Sequence, residues 1–151
     1  MTSASTGRGS GPSASAEGAD CAEDDAAATD PHLEADVFAR DCSSRDILQK
    51  VTSRWGILAL AALAEGDLRF SALRRRVDGV SERMLAQTLQ TLERDGFVTR
   101  TVLQSIPPKV EYALTDLGND AAHRVRALIE LVQDNVDAVA AARATYDATR
   151  N

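Results

Sequence analysis

Long apolar runs, a cysteine framework, clustered histidines and a glycine-rich phosphate loop are all missing from this chain of 151 residues, and each absence closes off a class of function. No stretch approaches the roughly 18 to 20 consecutive apolar residues that span a bilayer, so no membrane helix is expected. Two cysteines, Cys21 and Cys42, cannot build a disulfide framework of the secreted kind. Two histidines, His32 and His123, stand far apart, and no Cys or His pair has the close spacing of a zinc site. No metal and no other cofactor is therefore expected. A catalytic Ser or Cys needs a base and a group that orients it, and neither histidine sits in such a context, so an enzyme is not expected. The first residues lack a cationic stretch followed by an apolar one, which argues against a secretory leader and makes a cytoplasmic location the default.

The formal charge of −6 looks unsuited to a polyanionic partner, but it is unevenly placed. Residues 9–36 hold eight acidic residues and no Lys or Arg, whereas residues 40–126 hold 14 basic against 11 acidic ones. Local charge steers a ligand more than the total does, so the weakly positive body permits DNA binding. Residues 1–36 carry almost no large apolar side chain and cannot offset their ordering entropy, so they read as a disordered acidic tail. What remains is one domain with a core of its own.

Apolar periodicity begins at Val37. Ile47, Leu48 and Val51 mark one face of a helix over about 44–53. WGILALAALAEG follows, apolar nearly all round, and predicts a second helix deep in the core that stops at Gly66. In LRFSALRRRV, Ser71 is the expected cap of a short helix that turns Leu73 and Val77 inward. A further helix opens at Ser81, with Leu85, Leu89 and Leu92 at spacings of four and three and Gly96 just past its end. The period then changes. FVTRTVL and VEYALT are strand-like runs around QSIPPK, a hairpin with Pro107 and Pro108 in its loop. Thr115 and Asp116 cap a last helix, expected over 116–146 with a frayed end at 147–151. Val125, Ile129, Val132, Val136 and Val139 give it a heptad-like seam suited to a partner helix. The fold class is mainly α with a small β-hairpin wing: a winged helix-turn-helix over 37–126 that dimerises through its terminal helices.

In such a motif one short helix braces the backbone and the next lies in the major groove. Here the brace is about 71–77, the turn contains Gly79, and the reader is about 81–95. With the leucines inward, Arg83, Ala86, Gln87 and Gln90 face outward. Arg pairs with a guanine edge and Gln with an adenine edge. Ser81, at the helix start, suits a phosphate. Arg100 on the first wing strand supplies a further cation, as does Lys109, expected at the wing tip beside two prolines that stiffen the loop and present it to phosphate or the minor groove. Arg74 belongs to a triplet, Arg74-Arg75-Arg76, of which only some members can face DNA; the plain alternative is a solvated helix face.

From Cys42 to Gly118 the chain resembles the HxlR-type winged helix-turn-helix regulators of bacteria. The resemblance rests on SRWGILALAALAEGDLRFSALRR, VSERMLAQTLQTLERDGFVTRTV and PPKVEYALTDLG, in order and at matching spacing. It implies a homodimer that reads double-stranded operator DNA, with Ser81, Arg83 and Gln87 in contact and wing contacts near Arg100 and Lys109. Trp55 and Tyr112 match packing positions. Thr88 stands where such sequences commonly carry an Arg after the Gln of the reading helix. Some members of that family respond to oxidants, quinones or aldehydes through a cysteine near the domain start, the place held here by Cys42. Arg40, Arg45 and a nearby helix start favour a thiolate there, while Asp41 and Asp46 oppose it and Ser43 replaces a common Pro. A buried structural Cys42 is the alternative. The resulting expectation is a transcriptional repressor, with a thiol-directed oxidant or a small molecule as effector. The rival is a winged helix that binds a protein, which should expose Leu or Phe where this chain has Arg83, Gln87, Arg100 and Lys109.

Overall fold

The computed structural model describes residues 36–151. The acidic segment, with Cys21 and His32, lies outside the described residues except for Asp36. The elements are α1 (Ser43–Val51), α2 (Arg54–Leu63), β1 (Leu68–Arg69), α3 (Phe70–Arg76), α4 (Glu82–Arg94), β2 (Val98–Ser105), β3 (Pro108–Leu114), α5 (Asp116–Asp134) and α6 (Val136–Arg150). The three strands form an antiparallel sheet in the order β1-β3-β2. This is a mainly helical winged helix-turn-helix, as the periodicity predicts.

Leucine builds its centre. Leu60 of α2, Leu73 of α3 and Leu85 and Leu89 of α4 are fully buried, and Leu92 nearly so. Burying each such side chain contributes about 1.5–3 kcal/mol. Val77, Val80, Phe97, Val98 and Tyr112 close the cluster, with Trp55 packed partly buried against it. Tyr112 and Trp55 are thus packing residues, and Arg54 lies over the Trp55 ring at 4.5 Å.

Helix ends follow local chemistry. Ser81 Oγ accepts from Met84 N–H at 3.1 Å, satisfying a donor of the first turn of α4. At its other end Gly96 adopts φ +82°, while Phe97 N–H reaches Leu92 O and Gly96 N–H reaches Glu93 O. That pair of bonds is a Schellman stop. Thr115 then joins three elements: its hydroxyl donates to Gly96 O at 2.6 Å and accepts from Gly118 N–H at 3.0 Å, and its own N–H donates to Phe97 O.

Four expectations need correction. Ser71 is not a cap; α3 starts at Phe70, because Leu68 and Arg69 pair with Tyr112 and Glu111 of β3 and hold the backbone extended up to the helix start. That two-residue strand escaped the sequence because it is too short to show alternation. The final helix is not continuous over 116–146: it breaks at Asn135, whose side-chain amide donates to Leu131 O at 2.7 Å, and resumes to Arg150 with no frayed end at 147. The wing loop is shorter than QSIPPK, because strand pairing continues to Ser105 and Pro108. Finally, Ile47 and Leu48 stay 39% and 47% exposed, so within one protomer only Val51 of that face packs on the core.

Gly118 marks the tightest approach. A Cβ there would stand 1.9 Å from Phe97 O. Gly118→Ala should therefore lower stability by about 1–3 kcal/mol through displacement of α5 from the strand start. A thermal melt checks this, and an unchanged midpoint would contradict so close a contact.

Candidate nucleic-acid interface

The buried leucines of α4 fix its opposite face. Arg83, Ala86, Gln87 and Gln90 are all exposed, a stripe at spacings of three, one and three along the solvent side of a 13-residue helix. No described residue forms a side-chain hydrogen bond or ion pair with Arg83 or with the Gln87 and Gln90 amides that is short enough to hold them back. Ser81 sits at the helix start, exposed, with its oxygen already accepting from Met84 N–H. Its hydroxyl proton is what remains to offer a phosphate. Thr88 is half-buried and lines a groove against Asp46, Gln49 and Lys50 of α1, which it shares with Gln87.

The arginine triplet divides. Arg76 is held by Glu65 through Nε at 2.8 Å and Nη2 at 2.5 Å, a two-pronged pair on the side of α3 that faces the α2–α5 cleft. This contact pulls the Glu65 carboxyl below its ordinary range, chiefly through the hydrogen bond from Arg76, and raises Arg76 further. Arg76 is thus the member of the triplet that is paired by hydrogen bonds within the protomer. Arg74 stands 3.7 Å from Glu82, the first residue of α4. Glu82 follows Ser81 directly and so places an acid at the start of α4. Arg74, Arg75, Ser71 and Ser81 together rim a concavity of about 570 Å³ at the helix-turn-helix corner, where Gly79 takes φ +86°.

The wing joins this surface at its base. Arg100 is exposed on β2, opposite Tyr112, and shares a shallow cleft with Ala86, Gln90 and Glu93 of α4. Lys109 is half-buried and pairs in register with Gln104, one step short of the turn. The tip is Ile106 and not Lys109; Ile106 is 87% exposed, and Val102 and Leu103 are exposed beside it.

The residues of the expected dimer seam lie on α5 and α6. Val125 is buried and Ile129 half-buried, both within the protomer. Val132, Val136 and Val139 are exposed, together with Leu128 and Leu131. The apolar residues left open on α5 and α6 therefore include Leu128 and Leu131 where the expected seam had Val125 and Ile129.

Cys42 precedes α1 and is buried. Its sulfur lies 2.8 Å from Ser44 Oγ, and this hydrogen bond is the main reason that its pKa is lowered. The N–H groups of Ser44 and Arg45 act in the same direction, against burial and Asp36. Lys50 bridges Asp46 at 2.6 Å and Asp95 at 3.7 Å, tying α1 to the end of α4. Asp46 raises the Lys50 pKa, mainly through that hydrogen bond. Among the described residues no cluster of His, Cys, Asp or Glu could hold a metal, and no helix is long and apolar enough to cross a membrane.

Comparison with known proteins decides the family. The model for the HxlR-like helix-turn-helix matches residues 50–140. This chain belongs to the HxlR-like helix-turn-helix family. The HTH-type transcriptional regulator YtfH of Escherichia coli is 52% identical over 110 residues, which cover 73% of this chain and 87% of that protein. A solved structure from Salmonella typhimurium, also named ytfH, is 52% identical, with a TM-score of 0.68 over 70% of this chain and 95% of its own. The reduced form of the redox regulator HypR is 32% identical, with a TM-score of 0.60 over 65% of this chain and 97% of its own. As an HxlR-like helix-turn-helix chain, the protein is a DNA-binding transcription regulator by family. By fold, α3 and α4 are its helix-turn-helix pair and β2–β3 its wing.

Proposed function

We propose that this HxlR-like protein is a cytoplasmic, homodimeric repressor that occupies a pseudo-palindromic operator and performs no catalysis of its own. One observation carries it: Arg83, Gln87 and Gln90 form an uncommitted polar stripe on a helix whose other face is locked by three buried leucines. Such a stripe suits base edges in the major groove. Arg74, Arg100, Lys109 and the Ser81 hydroxyl surround it and suit phosphates. The DNA-binding unit is residues 37–126, and dimerisation uses α5 and α6 with help from α1. Leu128, Leu131, Val132, Val136 and Val139, with Ile47 and Leu48, are the apolar residues that a second copy would cover. Pairing of these faces would set two reading helices about 34–36 Å apart, one DNA turn. The protein-binding alternative is less well supported on α4, whose outer face is polar where a partner-binding surface should be apolar.

Arg83→Ala is expected to narrow the gap between operator and unrelated DNA, by about 1–3 kcal/mol if a bidentate guanine contact is lost. Lys109→Ala should weaken both alike and shallow the salt slope by about one. Filter-binding or anisotropy titrations separate the two, and equal losses on both duplexes from Arg83→Ala would remove it as a base reader.

A second proposal concerns the signal. Cys42 is held in a setting that favours its thiolate, which is the reactive form. Support also comes from the likeness to HypR, named a redox regulator, and to a Bacillus subtilis YodB structure treated with diamide, 27% identical with a TM-score of 0.52. We infer that an oxidant such as diamide, itself reduced to the hydrazine, takes two electrons and two protons from Cys42 and a second thiol, that of Cys21 or of Cys42 in a second copy. The resulting disulfide changes operator affinity by moving α1 against the dimer. Diamide should alter DNA binding of the unmodified protein and leave Cys42→Ser unaffected; the same response in both would end the idea.

A further inference from the structure

We propose that the wing tip is an apolar wedge that enters the minor groove flanking each half-site, partly unstacks a base step and bends the duplex. This rests on the operator-binding function proposed above. It goes beyond it, because nothing in the helix-turn-helix family assignment requires a wing to carry apolar side chains.

Four features converge on the tip. Ile106 is 87% exposed, and Leu103 and Val102 are each 50% exposed, so the hairpin ends in large aliphatic groups that pack on no core. Leu103 falls at the irregularity between the Val102–Val110 and Gln104–Lys109 pairs, where it has no partner across the ladder. Gln104 Nε2 donates to Ile106 O at 2.8 Å, which satisfies a turn carbonyl that would otherwise call for water. Pro107 and Pro108 fix backbone angles around Ile106, so little entropy remains to be lost when the tip is ordered against a ligand.

Reach and charge select DNA as the occupant. Arg100 at the wing base shares a cleft with Gln90 of the reading helix, so the hairpin continues the reading surface. From Arg100 to Ser105 the strand extends roughly 15 Å. A DNA turn is about 34 Å, so the minor groove next to the one being read lies about half a turn, or roughly 17 Å, away. Lys109 and Arg100 are the cations nearest along the hairpin, and no acidic residue lies between Val102 and Val110. An Ile or Leu side chain pushed between base steps is an established way for a protein to kink DNA toward the major groove.

The test uses the full-length protein and the segment of its own upstream DNA that it protects, carrying donor and acceptor dyes at its ends. A second duplex carries 2-aminopurine at the flanking base steps. Unmodified protein should shorten the end-to-end distance and raise 2-aminopurine fluorescence. Ile106→Ser should lose both signals and roughly tenfold in affinity, with Leu103→Ser intermediate. Its salt slope should stay unchanged, because no charge is removed. Lys109→Ala, by contrast, should shallow that slope and keep the bend. The wedge is overturned if Ile106→Ser bends and binds the duplex as well as the unmodified protein does. It is equally overturned if the substitution changes only self-association, which would make the tip a protein contact. Failure of the unmodified protein to bind any duplex would overturn the operator-binding function and the wedge together. Far-ultraviolet circular dichroism and a thermal melt of each variant keep a folding defect from passing as a binding one.

Discussion

Three leucines at spacings of four and three, Leu85, Leu89 and Leu92, are buried beneath α4, and nearly everything else about the binding face follows from their position. They meet Leu60 of α2 and Leu73 of α3 in one cluster, so the reading helix, the brace and the central helix share a single core. A rotation of α4 that turned Arg83 inward would expose those leucines and bury a guanidinium without a partner, and both changes are costly. The outward stripe is thus a consequence of packing. Each end of α4 is fixed as well, by Ser81 at its start and by the Gly96 stop and Lys50–Asp95 contact at its finish.

Charge is then arranged around that rigid helix. The chain carries a formal −6, yet the described wing and reader present Arg83, Arg100 and Lys109, with Glu82 and Glu93 on α4 and Glu111 on β3 as their acidic neighbours. Arg76 is removed from this set by Glu65, on the face that looks toward α5. Glu82 tempers Arg74 at the reader's start. Acidic residues at that position weaken indiscriminate attraction to phosphate, leaving more of the affinity to base contacts and shape.

Much of this was legible in the sequence because it rests on short-range signals. The leucine spacing, the Ser81 cap, the Gly96 stop and the Thr115 cap depend on residues within a turn or two of one another, and the structure has each of them. The strand β1 was not legible, since two residues carry no period and their extended form comes from Tyr112 and Glu111 some forty positions away. The break at Asn135 was missed for a different reason. The valine spacing continues across it without a gap, and a single amide bonding back to Leu131 decides the geometry. Along the wing, the sequence marked Lys109 for its charge, whereas register pairing to Pro108 carries Ile106 to the tip. Ion pairs such as Arg76–Glu65, eleven residues apart, are likewise a product of the fold.

The most direct test of the central claim is a titration of the purified protein against its own upstream intergenic DNA and a scrambled duplex at two salt concentrations. A rigid reader presenting Arg83, Gln87 and Gln90 predicts tighter binding to the upstream DNA, with affinity for both duplexes falling steeply as salt rises. A folded dimer that binds neither duplex at low salt would contradict it.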